Sequence, residues 1–182
     1  VGKQEEVMDL ATIKAWIEHW EGRRNQAYDD ATSRPITPGC VVQGHPTVGV
    51  GFNLDANGAQ AAIEALGLDY NQVRSGQQIL TDDQIDTLLD QTVNQAIQGA
   101  RQVVPSFDSL PDDKQVVIVD MVFNLGVRGF SQFAHAIQAV NSQDWATAAQ
   151  QMQQSAWFRQ VGARASADVN LMAGRITATQ FA

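Results

Sequence analysis

A chain of 182 residues with 44% apolar side chains is long enough for one sizeable core, or for two lobes that share one. Its net charge of −8 comes from the first hundred residues, with 14 acidic and 6 basic side chains against 6 of each in the rest; this argues against nucleic acid, whose phosphates need Lys and Arg, and against long-range steering to an anionic surface. No apolar run of roughly 18 residues is present, so no transmembrane segment is expected; the single Cys40 excludes an internal disulfide, and His19, His45 and His135 lack ligand spacing, so neither metal nor organic cofactor is expected.

The opening VGKQEEVMDL has neither a basic leader nor an apolar h-region, so no secretory signal is visible, and Val at position 1 leaves room for an earlier segment. Residues 1–9 read as frayed unless Val7 and Met8 dock, with Asp9 capping a first helix over about 10–22. Ile13, Trp16, Ile17 and Trp20 recur on one face of that helix, and Glu21 falls at its edge just before Gly22 can end it. A carboxylate beside buried aromatics is partly desolvated, which favours its protonated form, as a general acid requires. An ordinary surface Glu near a helix end is the competing reading.

Tyr28, Asp29 and Asp30 follow after a polar bridge, and Thr47-Val48-Gly49-Val50-Gly51-Phe52 alternates with a period of two, as a half-buried strand does. Strands are expected near 36–42 and 47–53, parted by Gly44-His45-Pro46, and glycines at alternate positions suggest a surface kept bare where a ligand or another backbone comes close. One carboxylate at a helix end and another on a nearby turn, with a hydroxyl at a strand start, have the composition of a glycosidase site.

Residues 57–66 read as a short helix with Ile63 and Leu66 inward, stopped by Gly67, and Tyr70 to Arg74 as one more turn. Thr81-Asp82-Asp83-Gln84 is a capping-box pattern that opens the longest helix, about 20 residues with Ile85, Leu88, Leu89, Val93, Ala96, Ile97 and Ala100 on one face, ended by Pro105. Ser109-Leu110-Pro111-Asp112 opens a helix whose run from Val116 to Phe123 is apolar on nearly every side, the centre of a lobe. Asn124 at its end can either bond a sugar amide or cap backbone groups. Helices at about 130–140, 143–154 and 162–174 complete the chain; Trp145, Trp157 and Phe158 read as packing residues, with Trp157 also suited to lining a cleft.

Several of these motifs occur together in one family. Glu21-Gly22, Tyr28-x-Asp30 and Thr47-Val48-Gly49-Val50-Gly51 resemble the N-terminal signature of the phage-type lysozymes, the muramidase family that includes the lysozyme of T-even bacteriophages. Met121-Val122-Phe123-Asn124-Leu125-Gly126, Gly129-Phe130, Trp145-x-x-Ala148-Ala149 and Ser155-x-Trp157-Phe158-x-Gln160-x-x-x-Arg164 follow that family's C-terminal lobe in order. The resemblance implies an α+β, mostly helical fold with a small N-terminal β-sheet lobe and a helical C-terminal lobe joined by a long helix. It is expected as one domain over 1–182, with the active-site cleft in a lobe over about 1–80 and the connecting helix and helical lobe over about 81–182.

By the same resemblance Glu21 matches the catalytic acid, Asp30 the aspartate that activates the attacking water, and Thr47 the threonine that shares it. Arg164 matches an arginine that pairs with the catalytic glutamate; such a pair favours the ionised carboxylate, so Arg164 is expected to position Glu21 rather than tune it. Asn124, Gly51 and Phe52 are expected to bind substrate or support the site. In two places the chain departs from the family pattern. The segment between Asp30 and Thr47, with Pro35, Pro38, Gly39, Cys40 and Pro46, is longer than in the T-even members, and Phe52 stands where those members have a histidine.

The implied activity is hydrolysis of the β-1,4 bond between N-acetylmuramic acid and N-acetylglucosamine in peptidoglycan, by a monomer without cofactor. Carboxyl groups about 6.5–9.5 Å apart would give inversion and about 5–5.5 Å a covalent intermediate. With no signal visible, delivery to the wall is expected by lysis, a virion or a secretion device. The alternative is a lysozyme-like module without catalysis that binds glycan or a protein partner. Such a module would be free to lose Glu21, Asp30, Thr47 or Arg164, and all four are present.

Overall fold

The computed structural model describes residues 10–181, and the expected Asp9 cap and frayed 1–9 segment lie outside them. Among the described residues are nine α-helices and one three-stranded antiparallel sheet, so the chain is α+β and mostly helical. It divides into two compact units, Glu21–Thr92 and a second built from 10–20 with 93–181, the division falling within the first and fourth helices.

In the unit Glu21–Thr92 the sheet is formed by β1 (Arg24–Asp29), β2 (Pro46–Gly49) and β3 (Phe52–Asn53) in that order. Tyr28 lies opposite Thr47, and Val48 opposite Phe52. Two expectations are corrected here. No strand forms at 36–42, where Pro35 and Pro38 cannot donate to a ladder and only Pro35 makes a bridge, to Tyr28. The outer strand is instead the polar 24–29 segment, whose backbone finds its partners in β2. The expected strand at 47–53 is two strands, because Gly49 (φ 65°) and Gly51 (φ 66°) turn the chain back between them.

The rest of this unit is α2 (Ala59–Ala65), α3 (Tyr70–Arg74) and the start of α4 (Asp82–Val103). The capping box is made in both directions: the Thr81 N–H donates to Gln84 Oε1 at 2.9 Å and the Gln84 N–H to Thr81 Oγ1 at 3.3 Å. Val48, Ile63, Val73, Ile85, Leu88 and Leu89 form the core, whereas Leu66 is only half-buried.

In the other unit α1 (Leu10–Glu21) buries Ile13, Trp16 and Ile17. The long apolar helix is α5 (Asp112–Phe130), buried from Lys114 to Met121 and Val122, with a break at Gly126 (φ 70°, ψ 166°). Because α5 runs on to Phe130, the helix expected over 130–140 starts later, as α6 (Ala134–Asn141). After α7 (Trp145–Gln153) comes an unexpected short helix, α8 (Ala156–Val161), capped by the Ser155 side chain and separated by Gly162 from α9 (Ala163–Met172). No single described helix is long and apolar enough to cross a membrane.

Candidate active site

Glu21 is the last residue of α1, and the chain leaves the helix at Gly22 with φ 70°. Its half-buried carboxyl group lies directly against the backbone of Gly51: a Cβ there would stand 2.8 Å from Oε2 and 2.9 Å from the carboxyl carbon. The glycine expected to leave room for a ligand therefore leaves room for the Glu21 side chain.

Asp30 is exposed at the end of β1, and its position is set by the backbone of His45. Oδ1 accepts the His45 N–H at 2.7 Å, while the Asp30 N–H donates to the His45 carbonyl at 3.1 Å. The buried Thr47 hydroxyl donates to that same carbonyl at 3.2 Å. Asp30 and Thr47 are thus gathered around the backbone of one residue. Close approach is possible because residue 44 has no side chain: a Cβ on Gly44 would stand 2.0 Å from Asp30 Oδ1. The His45 ring reaches Asp55 Oδ2 at 3.4 Å, and Arg74 holds the Asp55 Oδ1 through Nε at 3.0 Å and a terminal nitrogen at 2.8 Å.

Tyr28 links the two carboxylates electrostatically. Burial pushes its phenol above the ordinary value, and the Glu21 charge adds to this; Arg24 opposes it, and Asp30 raises it further. The Arg24 guanidinium lies over the ring at 4.2 Å from its centre. Phe52 is buried in β3, 8% exposed.

Asp29, which sequence reasoning passed over, is a buried carboxylate that ties down the long segment after it. It accepts the backbone N–H groups of Ala31 at 3.0 Å, Gln43 at 2.8 Å and Gly44 at 3.0 Å. The Gln43 bond above all holds its carboxyl below the ordinary value, against the effect of burial.

Arg164 and Asn124 belong to the other unit. Buried Arg164 on α9 grips Asp120 of α5 with two bonds, Nε to Oδ2 at 2.9 Å and a terminal nitrogen to Oδ1 at 2.8 Å. Asp168, one turn further along α9, is fully buried, and its Oδ1 accepts the Trp16 indole N–H at 3.1 Å. Burial pushes Asp168 well above the ordinary carboxylate value, and the neighbouring Asp120 acts in the same direction. Asn124 is exposed, and its side-chain oxygen accepts the Trp157 indole N–H at 3.2 Å, so that oxygen serves a buried ring rather than a backbone cap. Neither Asp120 nor Asp168 was singled out from the sequence, although a lone Asp in an apolar helical run is itself a signal, since a buried charge needs a partner. Among the described residues no group of three or more His, Cys, Asp or Glu side chains is gathered as a metal site.

A sequence model described as phage lysozyme matches residues 18–171. Among curated proteins the chain is similar to probable T4-type lysozyme 1 of Dictyostelium discoideum, 21% identical over 90% of this chain and 94% of that one. It is also 20% identical to probable T4-type lysozyme 2 of the same organism, over 86% of this chain and 91% of that one.

Proposed function

Because this chain belongs to the phage lysozyme family, we propose that it is an active muramidase, cleaving the β-1,4 bond between N-acetylmuramic acid and N-acetylglucosamine in peptidoglycan. The observation that carries this reading is the arrangement of three side chains in one unit. Glu21 is set against a bare glycine, Asp30 and Thr47 share the His45 backbone, and one phenol feels both carboxylates. A glycosidase needs one acid at the leaving oxygen and one base or nucleophile on the other side of the sugar.

In this reading Glu21 gives its proton to the glycosidic oxygen, which leaves as the 4-hydroxyl of N-acetylglucosamine. Asp30 accepts a proton from water as the water oxygen bonds to the anomeric carbon of N-acetylmuramic acid. The Thr47 hydroxyl proton is committed to His45, so toward that water Thr47 acts as an acceptor. Arg164 and Asn124 keep in this reading the supporting role expected from the sequence, and no cofactor takes part.

The test is Glu21→Gln, which keeps the side chain's size and removes its ionisable proton. Purified sacculi should be cleared by the wild-type protein and left intact by the variant, with the two giving the same circular-dichroism melting curve. Clearance by the variant at the wild-type rate would end the assignment.

A further inference from the structure

Asp168 has an unusual environment for a carboxyl group. It is fully buried, one oxygen takes the Trp16 indole N–H, and no donor reaches the other oxygen, Oδ2. The nearby guanidinium of Arg164 spends its Nε and one terminal nitrogen on Asp120. An ionised Asp168 would therefore be a second buried negative charge beside Asp120, with one neutral hydrogen bond and the charge of an Arg164 already bonded to Asp120, which together do not outweigh burial and the Asp120 charge. A protonated Asp168 removes the difficulty: its hydroxyl becomes a donor, and the neighbouring Asp120 carboxylate is an acceptor for it.

We propose that Asp168 is held as a neutral acid that donates its proton to Asp120, and that the two are positioning residues fixing the Arg164 guanidinium. The polar groups that face Asp168 are Asp120 from α5, Arg164 from its own helix and Trp16 from α1. Burial of Asp168 favours this protonation state most, as does the Asp120 charge, and both act against the Arg164 charge and the Trp16 hydrogen bond. The network joins three helices through one shared proton. It also holds the Arg164 guanidinium by two bonds to a buried acceptor, which a long flexible side chain needs if it is to act at a defined point.

The positioning part rests on the muramidase reading, in which Arg164 is a supporting residue; the placement of the proton does not. Two measurements separate them. In the wild-type protein at about pH 6, where an ordinary Asp is ionised, the side-chain carboxyl carbon of Asp168 should show the NMR shift of a protonated acid. A shift typical of a carboxylate would overturn the proposal, whatever the protein does to peptidoglycan. In sugar-release kinetics, Asp168→Val should lower kcat roughly tenfold or more with KM within about twofold, and Asp168→Asn, which donates and accepts as the neutral acid does, should restore kcat to within about threefold. Equal loss in both variants, or wild-type kcat in Asp168→Val, would overturn it. Should the wild-type protein release no sugar at all, the muramidase reading fails while the carboxyl shift still decides where the proton is.

Discussion

Replacing Gly51 by Ala tests how closely Glu21 is held. The residue has φ 66°, so an alanine there bears the left-handed backbone cost of about 1–2 kcal/mol. For a chain of this length that is a melting point lower by roughly 2–8 °C. The added Cβ would also stand 2.8 Å from Glu21 Oε2. Comfortable contact is about 3.5–4.0 Å, so the carboxylate must retreat by roughly 1 Å. A displacement of that size in a catalytic group costs on the order of a hundredfold in rate. Gly67→Ala is the control, since Gly67 has φ 76° and nothing within 4 Å of its Cβ position. Melting followed by circular dichroism should fall by similar amounts in the two variants, while sugar release from peptidoglycan should collapse only in Gly51→Ala. Wild-type turnover by Gly51→Ala, or equal losses in both variants, would refute the reasoning.

Asp29→Ala removes the acceptor of three backbone N–H groups, so the amides of Gln43 and Gly44 should exchange with deuterium at least roughly tenfold faster, while those of α4 do not change. Because the folded Asp29 titrates below its unfolded value, its contribution to stability is complete above the unfolded pKa and disappears as pH falls through the folded one; in the wild-type protein protection at those two amides should therefore be lost only in strong acid, below about pH 4. Asp168 has the opposite sign. Its folded pKa is raised, so its contribution is complete below about pH 4 and is lost as pH rises toward the folded value. Asp168→Asn has no such dependence, and its stability relative to wild type should climb with pH above about 4, by at most about 1.4 kcal/mol per pH unit in urea titrations. A difference that is flat from acid to neutral pH would contradict the protonated Asp168.

Much of the fold was legible because long helices announce themselves. The Thr81–Gln84 box, the apolar face from Ile85 to Ala100 and the stop before Pro105 each encode α4 locally, and all are present. β1 was not legible, since Arg24-Asn25-Gln26 carries no alternation and is extended only because β2 supplies its hydrogen-bond partners. The 36–42 segment erred the other way: Ile36 is buried, but the neighbouring prolines deny it a ladder. Among the candidate site residues, the place of Glu21 at the end of α1 was visible from helix periodicity and its terminating glycine. The purpose of Gly51 was not, because what it accommodates lies 30 residues earlier in the chain. The Asp120, Arg164 and Asp168 cluster depends on α5 and α9 packing together, which no local pattern contains.

The identity of the bond cut is the most direct test of the account. Intact sacculi would be digested with the wild-type protein, reduced with borohydride and separated, and the sugar at each new reducing end identified by mass spectrometry. Reduced N-acetylmuramic acid, absent from a parallel digest with Glu21→Gln, is the result predicted here. Reduced N-acetylglucosamine, or no new reducing ends from the wild-type protein, would contradict it.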